Sequence, residues 1–391
     1  MERIGIFGGT FDPPHKGHIQ AAVDAVAALQ LDRLLLIPTG IAPHKSSAIA
    51  SAEHRMQMMR MASRHLPFAE VLDLEIRRES VSYTYETVQQ LRILYPDAKF
   101  FLMLGSDMFL SFEHWKNPEL ILAEVSLAVF CRGAKGERAA IDARAAQMQS
   151  CGYDVYVLSN DVVDISSTQL RRLLAFGCAD EFLPDGVGDY ILMRGLYHSA
   201  APWKNLPMDE LEQVVISLLK PNRVNHVLGC CETAVELAKR WGVDETDAAR
   251  AALLHDVTKA LDGPLQLTLC SCYGKVLDDF SLRYPKTLHA LTGSLVAERI
   301  FGENKAVVAA IESHTTGKAA MNMLEKIIYV ADYMEPNRDF PGVERLRHLA
   351  FSDMDAALKL GLEMTLEHLK RQGAEVSPAS REALAYLRAN V

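Results

Sequence analysis

Apolar positions in the first half of the chain come in short, uninterrupted runs. Residues 4–7 (IGIF), 33–38 (RLLLIP) and 100–104 (FFLML) are too short for buried helices, and each stops at glycine or proline. Residues 70–74, 126–130 and 153–158 give three further strand-like segments. Between them, residues 18–29, 53–63 and 85–94 carry helical periodicity. Continuous apolar strands are buried on both faces, and strands separated by helices pair in parallel through right-handed crossovers. The pattern predicts an α/β, Rossmann-like domain with a parallel sheet, whose ligands sit at the carboxyl ends of the strands.

The second half has another rhythm. Residues 208–219, 225–241, 244–261, 287–301, 305–314 and 323–334 read as helices, as do two segments between 353 and 387. Asp244 stands where an N-cap belongs. No strand pattern appears, so this half is expected to be all-α. The change falls near residues 196–207, where Ser199, Pro202, Asn205 and Pro207 mark a linker. The expected domains are 1–198 and 208–391, with a linker over 199–207.

Composition narrows the class. A chain of 391 residues, 49% apolar, is long enough for two cores. Its net charge of -9 excludes a protein that tracks a nucleic-acid backbone. Focused Lys, Arg, His or metal sites still suit anionic small molecules. Seven cysteines with no zinc-ribbon or disulfide-framework spacing suggest thiols in a reducing compartment. No apolar run approaches a membrane span and the N-terminus has no signal-peptide pattern, so a cytoplasmic location is expected. Homo-oligomerisation is left open.

The strongest local string is Gly8-Gly9-Thr10-Phe11-Asp12-Pro13-Pro14-His15-Lys16-Gly17-His18, between a strand and a helix. Glycines there let backbone amides approach a phosphate, and the helix N-terminus adds positive potential. His15 and His18 are spaced to face one polyphosphate. A second string, Ile165-Ser166-Ser167-Thr168-Gln169-Leu170-Arg171, places three hydroxyls at a helix start with Arg171 about one turn in. Alone it is an ordinary cap; beside the first string it is a second phosphate clamp.

These two strings resemble the nucleotidyltransferase superfamily with HxGH and ISSTxxR motifs. Ala42-Pro43-His44-Lys45, residues 82–87 (SYTYET), Gly105-Ser106-Asp107-Met108 and Trp115 extend the likeness to bacterial nicotinate-mononucleotide adenylyltransferases, over roughly residues 1–197. One string departs: Cys131-Arg132-Gly133 stands where that family often has Arg-Pro-Gly. The resemblance implies direct attack of the mononucleotide phosphate on the α-phosphorus of ATP, with Mg²⁺ neutralising the pyrophosphate. It implies an ATP site of Gly8, Gly9, Thr10, Phe11, His15, His18, Ser166, Ser167, Thr168 and Arg171. Lys45, Thr84, Asp107 and Trp115 would face the mononucleotide, with His15, His18, Lys45 and Arg171 catalytic. Nicotinamide mononucleotide or phosphopantetheine are the alternative acceptors.

In the second half His255-Asp256 ends an apolar helix, and a lone His-Asp pair means little. The set matters more: His226, His289, His314 and Asp332 each stand on or beside another apolar helix. An imidazole or carboxylate on a buried face costs several kcal/mol unless paired or metal-bound. Four histidines and two aspartates suit a two-metal site, with iron, manganese, cobalt or zinc favoured over magnesium alone and Asp256 as a bridge. The order H…HD…H…H…D resembles the HD-domain phosphohydrolases. The strings around Lys259, Thr315 and Arg338 are similar to those of symmetrical diadenosine tetraphosphate hydrolases. By that resemblance His226, His255, Asp256, His289, His314 and Asp332 hold the metals, most readily iron. Asp256 is counted as catalytic, Arg223, Lys259 and Arg338 contact phosphate, and the products are two ADP. A nucleotide-binding regulatory module without turnover is the alternative from another class.

Overall fold

The computed structural model describes residues 1–41, 49–78, 80–131, 137–159 and 165–390. The chain forms two compact units, Met1–Ala201 and Pro202–Val391.

The first unit is built on six parallel strands: β1 (Arg3–Gly9), β2 (Arg33–Pro38), β3 (Ala69–Val71), β4 (Lys99–Gly105), β5 (Val125–Phe130) and β6 (Val155–Leu158). Their order is β3-β2-β1-β4-β5-β6. All the pairings are parallel; Ile6 of β1, for example, lies between Leu35 of β2 and Leu102 of β4. Both faces of the sheet are covered. Ile4, Ile6, Leu35 and Leu127 are buried with one core, and Leu34, Leu36, Phe101 and Ala128 are equally buried. That explains why these strands read as continuous apolar runs rather than alternating ones. Strand order reverses between β1 and β4, so the loops leaving these two neighbours flank the crevice where such sheets take ligands. The loop after β1 carries the Gly8–His18 string, and the turn after β4 carries Asp107.

The second unit is helical. The helix Met323–Met334 is central, with Ile327, Ile328, Tyr329, Val330 and Ala331 all buried. Helices Val224–Trp241, Glu245–Leu254 and Lys305–Ser313 pack around it. Asp244 caps its helix as expected, accepting from Asp247 N at 2.8 Å. One expected helix is shorter than its periodicity. The run 244–261 stops being α-helical at Leu254, and residues 255–260 form tight turns closed by Val257 N to Leu254 O and Lys259 N to Asp256 O. Gln266 Nε2 donates to Thr258 O and Leu261 O, satisfying carbonyls at the end of these turns. Helices Gly263–Cys272, Asp279–Arg283 and Val343–Ser352 have no counterpart in the sequence reading.

Within the expected linker, Trp203 is buried and stacks on Phe301 at 5.6 Å, and Asn205 N donates to Phe301 O. Arg250 donates to Leu206 O at 2.8 Å while forking onto Glu303 at 2.8 and 2.6 Å. Residues 203–206 are therefore held by the helical unit. Among the described residues no helix is long and apolar enough to cross a membrane.

Candidate functional site

Each unit carries one cluster of chemistry. In the first, β1 delivers the chain into a loop tied down at almost every residue. Phe11 is buried, its ring edge-on to Phe7 at 5.5 Å and to His18 at 5.0 Å. Buried Asp12 accepts from Ile49 N at 2.8 Å, Ala50 N at 3.1 Å and the Tyr197 hydroxyl at 2.6 Å. Burial, and then the bond to Asp12, push the Tyr197 phenol far above its ordinary value, so it stays a donor. Buried Arg55 donates to Thr10 O at 2.8 Å.

His15 is the N-cap of the helix Lys16–Leu29, and its backbone N–H donates to His18 Nδ1 at 3.2 Å. That bond fixes His18 Nδ1 as an acceptor, so neutral His18 carries its proton on Nε2 and presents a donor. The two imidazoles lie face to face, centroids 3.7 Å apart and tilted by 34°. Gly8 is open: a Cβ built there would meet nothing within 4 Å.

The second string is docked onto the first. Ser166 caps the helix Ser167–Ala175 in a reciprocal capping box with Gln169. Ser167 Oγ donates to Pro13 O at 3.2 Å. Arg171 donates to Asp12 O at 2.6 Å and to Thr168 Oγ1 at 3.2 Å. The residues read as two clamps therefore share one wall. Thr84 heads the helix Thr84–Leu94, and Asp107 lies in the first turn after β4. Trp115 is half-buried with its ring centroid 5.2 Å from that of Phe112, so packing accounts for part of it. Lys45, and Arg132 and Gly133 of the departing string, lie outside the described residues. Asp12, Arg55 and Tyr197 were not singled out by sequence. Asp12 sits inside the string that was, but nothing local flags Arg55, or Tyr197 far downstream.

In the second unit four histidines point their Nε2 atoms at one carboxylate. His255 Nε2 and His226 Nε2 lie 3.5 and 3.8 Å from Asp256 Oδ2, and His289 Nε2 and His314 Nε2 lie 3.7 and 3.9 Å from Oδ1. Asp332 joins through His226 Nε2 at 3.1 Å. All six expected ligands are brought together.

Helix ends do most of the placing. His255 and His314 are the C-caps of Glu245–Leu254 and Lys305–Ser313, and His289 opens His289–Val296. Each turns Nδ1 back on a carbonyl three residues earlier: Ala252 O at 2.6 Å, Ile311 O at 2.7 Å and Lys286 O at 2.9 Å. An Nδ1–H donating to a carbonyl leaves the Nε2 lone pair free and aimed inward, as metal-binding histidines require. The two C-caps also bring negative helix ends toward the cluster. Gly293 permits this approach, since a Cβ there would lie 3.2 Å from His255 O.

The electrostatics agree. Burial, then neighbouring charge, pushes the His255 and His289 imidazoles well below their usual range, and burial takes His314 down to about 4. Burial opposes ionisation of Asp332, but the bond from His226 and the nearby charge of Arg338 hold it well below the carboxylate range. Neutral imidazoles with an ionised carboxylate form a ligand-ready set. His255 Nε2 is fully buried without a hydrogen-bond partner. Such an atom costs about 1–3 kcal/mol, which a bound cation would offset. The residues present therefore fit a divalent metal centre.

The three cations read as phosphate contacts ring the cluster. Arg223 pairs with Asp256, Arg338 Nη2 with Asp332 Oδ1 at 2.8 Å, and Lys259 Nζ lies 2.7 Å from His289 Nε2. Burial lowers Lys259 to about 8. Sequence reasoning missed Glu335, which is buried and takes His226 Nδ1 at 3.1 Å and Asn337 N at 2.7 Å. Gly229 makes room for it, since a Cβ there would lie 2.7 Å from Glu335 Oε2. The available signal was a carboxylate three residues after Asp332. Thr315 stands in a string the sequence singled out but had no role there; its hydroxyl lies 3.0 and 3.1 Å from His289 and His314 Nε2.

Both units match known families. A cytidylyltransferase-like family matches residues 6–173, and the HD domain family matches residues 223–337. A Mycoplasma pneumoniae protein named a probable nicotinate-nucleotide adenylyltransferase/Ap4A hydrolase is 30% identical over 374 residues, 93% of this chain and 98% of that protein. A probable nicotinate-nucleotide adenylyltransferase of Gemmatimonas aurantiaca is 38% identical over 198 residues, covering 50% of this chain and 92% of that protein. A solved structure described as an HD superfamily hydrolase involved in NAD metabolism, from Clostridium acetobutylicum, is 36% identical. It covers 48% of this chain and 99% of that one, with a TM-score of 0.47.

Proposed function

The chain belongs to the family of fused nicotinate-nucleotide adenylyltransferases and Ap4A hydrolases, and from that premise we propose that each of its units catalyses one of the two reactions. The first transfers AMP from ATP to nicotinate mononucleotide, giving deamido-NAD and pyrophosphate. The second cleaves diadenosine tetraphosphate symmetrically into two ADP.

What supports the first reading is the docking of the Ser167–Arg171 turn onto the Asp12–Pro13 carbonyls. It joins the two phosphate strings into one wall beside the β1–β4 switch point. There His18 Nε2–H and the amides around Gly8 and Gly9 donate to triphosphate oxygens, and Arg171 adds charge. Such a reaction needs positioning and charge stabilisation rather than a covalent intermediate. Thr84, Asp107 and Trp115 would receive the mononucleotide. Mg²⁺ entering with ATP supplies charge neutralisation.

What supports the second reading is the convergence of four Nε2 atoms on Asp256. His226, His255, His289, His314, Asp256 and Asp332 would hold the centre, iron being our first choice. A divalent centre of this kind supplies Lewis acidity and lowers the pKa of water. Arg223, Lys259 and Arg338 take the phosphate charge, and Glu335 orients His226.

The test uses the purified full chain. ATP with nicotinate mononucleotide should give deamido-NAD, and nicotinamide mononucleotide should be the poorer acceptor. Diadenosine tetraphosphate with Fe²⁺ or Mn²⁺ should give ADP alone. An ATP and AMP mixture would reject symmetrical cleavage, and no turnover would leave a binding module.

A further inference from the structure

Resting on the metal-centre reading above, we propose that His226, Cys230, His255 and Asp332 form a thiolate-containing position for a thiophilic divalent ion, of which zinc is the natural example. Cys230 follows His226 by four residues on the helix Val224–Trp241, so the two side chains share one face. Cys230 Sγ lies 3.6 Å from His226 Nε2, and Asp332 Oδ1 lies 3.1 Å from the same nitrogen. The ligand atoms of all four residues lie within 4.8 Å of one another. Donors held roughly 2.0–2.3 Å from one tetrahedral zinc stand about 3.3–3.6 Å apart, so the sulfur is already near a ligand's distance.

A second observation points into the same position. His255 Nε2 is completely buried and has no hydrogen-bond partner. Cys230 is equally buried and is a free thiol, and its backbone contact, Ala331 O at 3.9 Å, is too long to fix it. The neighbouring Cys231 serves as an internal contrast: its Sγ is 3.7 Å from Ala249 O and it is outside the quartet. The simpler account makes Cys230 a small apolar filler between helices. A filler would leave ion preference untouched, whereas a ligand would not.

The centre is then chemically lopsided. Asp256, His289 and His314 offer nitrogen and oxygen only, while the Cys230 end adds sulfur. Thiolate favours zinc and cobalt over manganese, so the sulfur end sets which ion stays bound. On binding, the Cys230 thiol gives its proton to solvent and ligates as thiolate.

Cobalt reports both questions at once. The full chain, stripped of metal, is titrated with Co²⁺ and its absorption recorded. The expected spectrum has visible d–d bands and a near-ultraviolet sulfur-to-cobalt charge-transfer band. Cys230→Ser, with Cys230→Ala as a second variant, should keep the d–d bands and lose charge transfer. Zinc retention against a chelator should fall about tenfold or more in both, with manganese retention unchanged. Visible bands without charge transfer in the wild type would overturn the thiolate position and leave the metal centre standing. Charge transfer persisting in both variants would place the sulfur elsewhere and overturn it too. Absence of visible bands would overturn the metal centre and this proposal together.

Discussion

The two clusters handle phosphate in opposite ways. In the sheet unit the chemistry is carried by a loop and two helix starts: an open Gly8, a cap hydroxyl, and His18 presenting an N–H. In the helical unit it is carried by helix ends turned inward: His255, His289 and His314, each 4% exposed or less, lock Nδ1 on carbonyls three residues back and aim Nε2 at Asp256. Donors facing outward suit an anion that arrives and leaves. Acceptors facing inward suit a cation that stays. The same residue type, histidine, serves both, and what decides is whether the backbone donates to Nδ1, as at His18, or accepts from it, as at His255, His289 and His314.

That contrast can be broken most sharply at Asp256. Asp256→Ala removes the carboxylate on which four imidazoles converge, so hydrolysis should fall to background and bound metal should drop on elemental analysis. Adenylyl transfer by the same preparation should stay within about twofold. Next comes His18→Ala, which removes a donor aimed at developing charge. Transfer should lose roughly 10²–10³-fold in kcat/KM, with hydrolysis intact. Undiminished transfer would reject the phosphate role of His18.

Smaller effects sharpen the comparison. Glu335→Gln keeps shape but weakens the hold on His226 Nδ1, and metal affinity should fall about 10–100-fold, read by chelator competition. Tyr197→Phe leaves Asp12 one donor short, costing about 1.5–3 kcal/mol of stability in the sheet unit by denaturant unfolding. Ser166→Ala removes the cap on the Ser167–Ala175 helix, a stability loss of about 1 kcal/mol by denaturant unfolding.

Much of this was legible in the sequence because the relevant signals are local. Uninterrupted runs such as FFLML give buried parallel strands, and the Gly8–His18 string has its chemistry within one turn. The six candidate ligands could be picked out because a polar residue on an apolar helix stands out against its neighbours. What escaped depends on contacts distant along the chain. Tyr197 reaches Asp12 from the far end of the unit, and Arg55 looks like an ordinary polar position on the helix Ala52–Ser63. The end of the 244–261 helix was hidden because Ala251–Leu254 and Val257 keep an unbroken apolar pattern. The Gln266 side chain, from the next helix, satisfies carbonyls of the turns that replace it. Residues 203–206 looked like linker because proline and asparagine dominate locally, yet Trp203 finds its partner at Phe301.

On the functions proposed above, one half of this chain works around a resident ion and the other around a passing anion. The most direct measurement is to assay both reactions in one preparation, with metal content, before and after exhaustive chelation and dialysis. With Mg²⁺ restored for the transferase assay, adenylyl transfer should be unchanged. Hydrolysis of diadenosine tetraphosphate should vanish with the bound metal and return with Fe²⁺ or Mn²⁺. Hydrolysis that persists in metal-free protein would contradict the account.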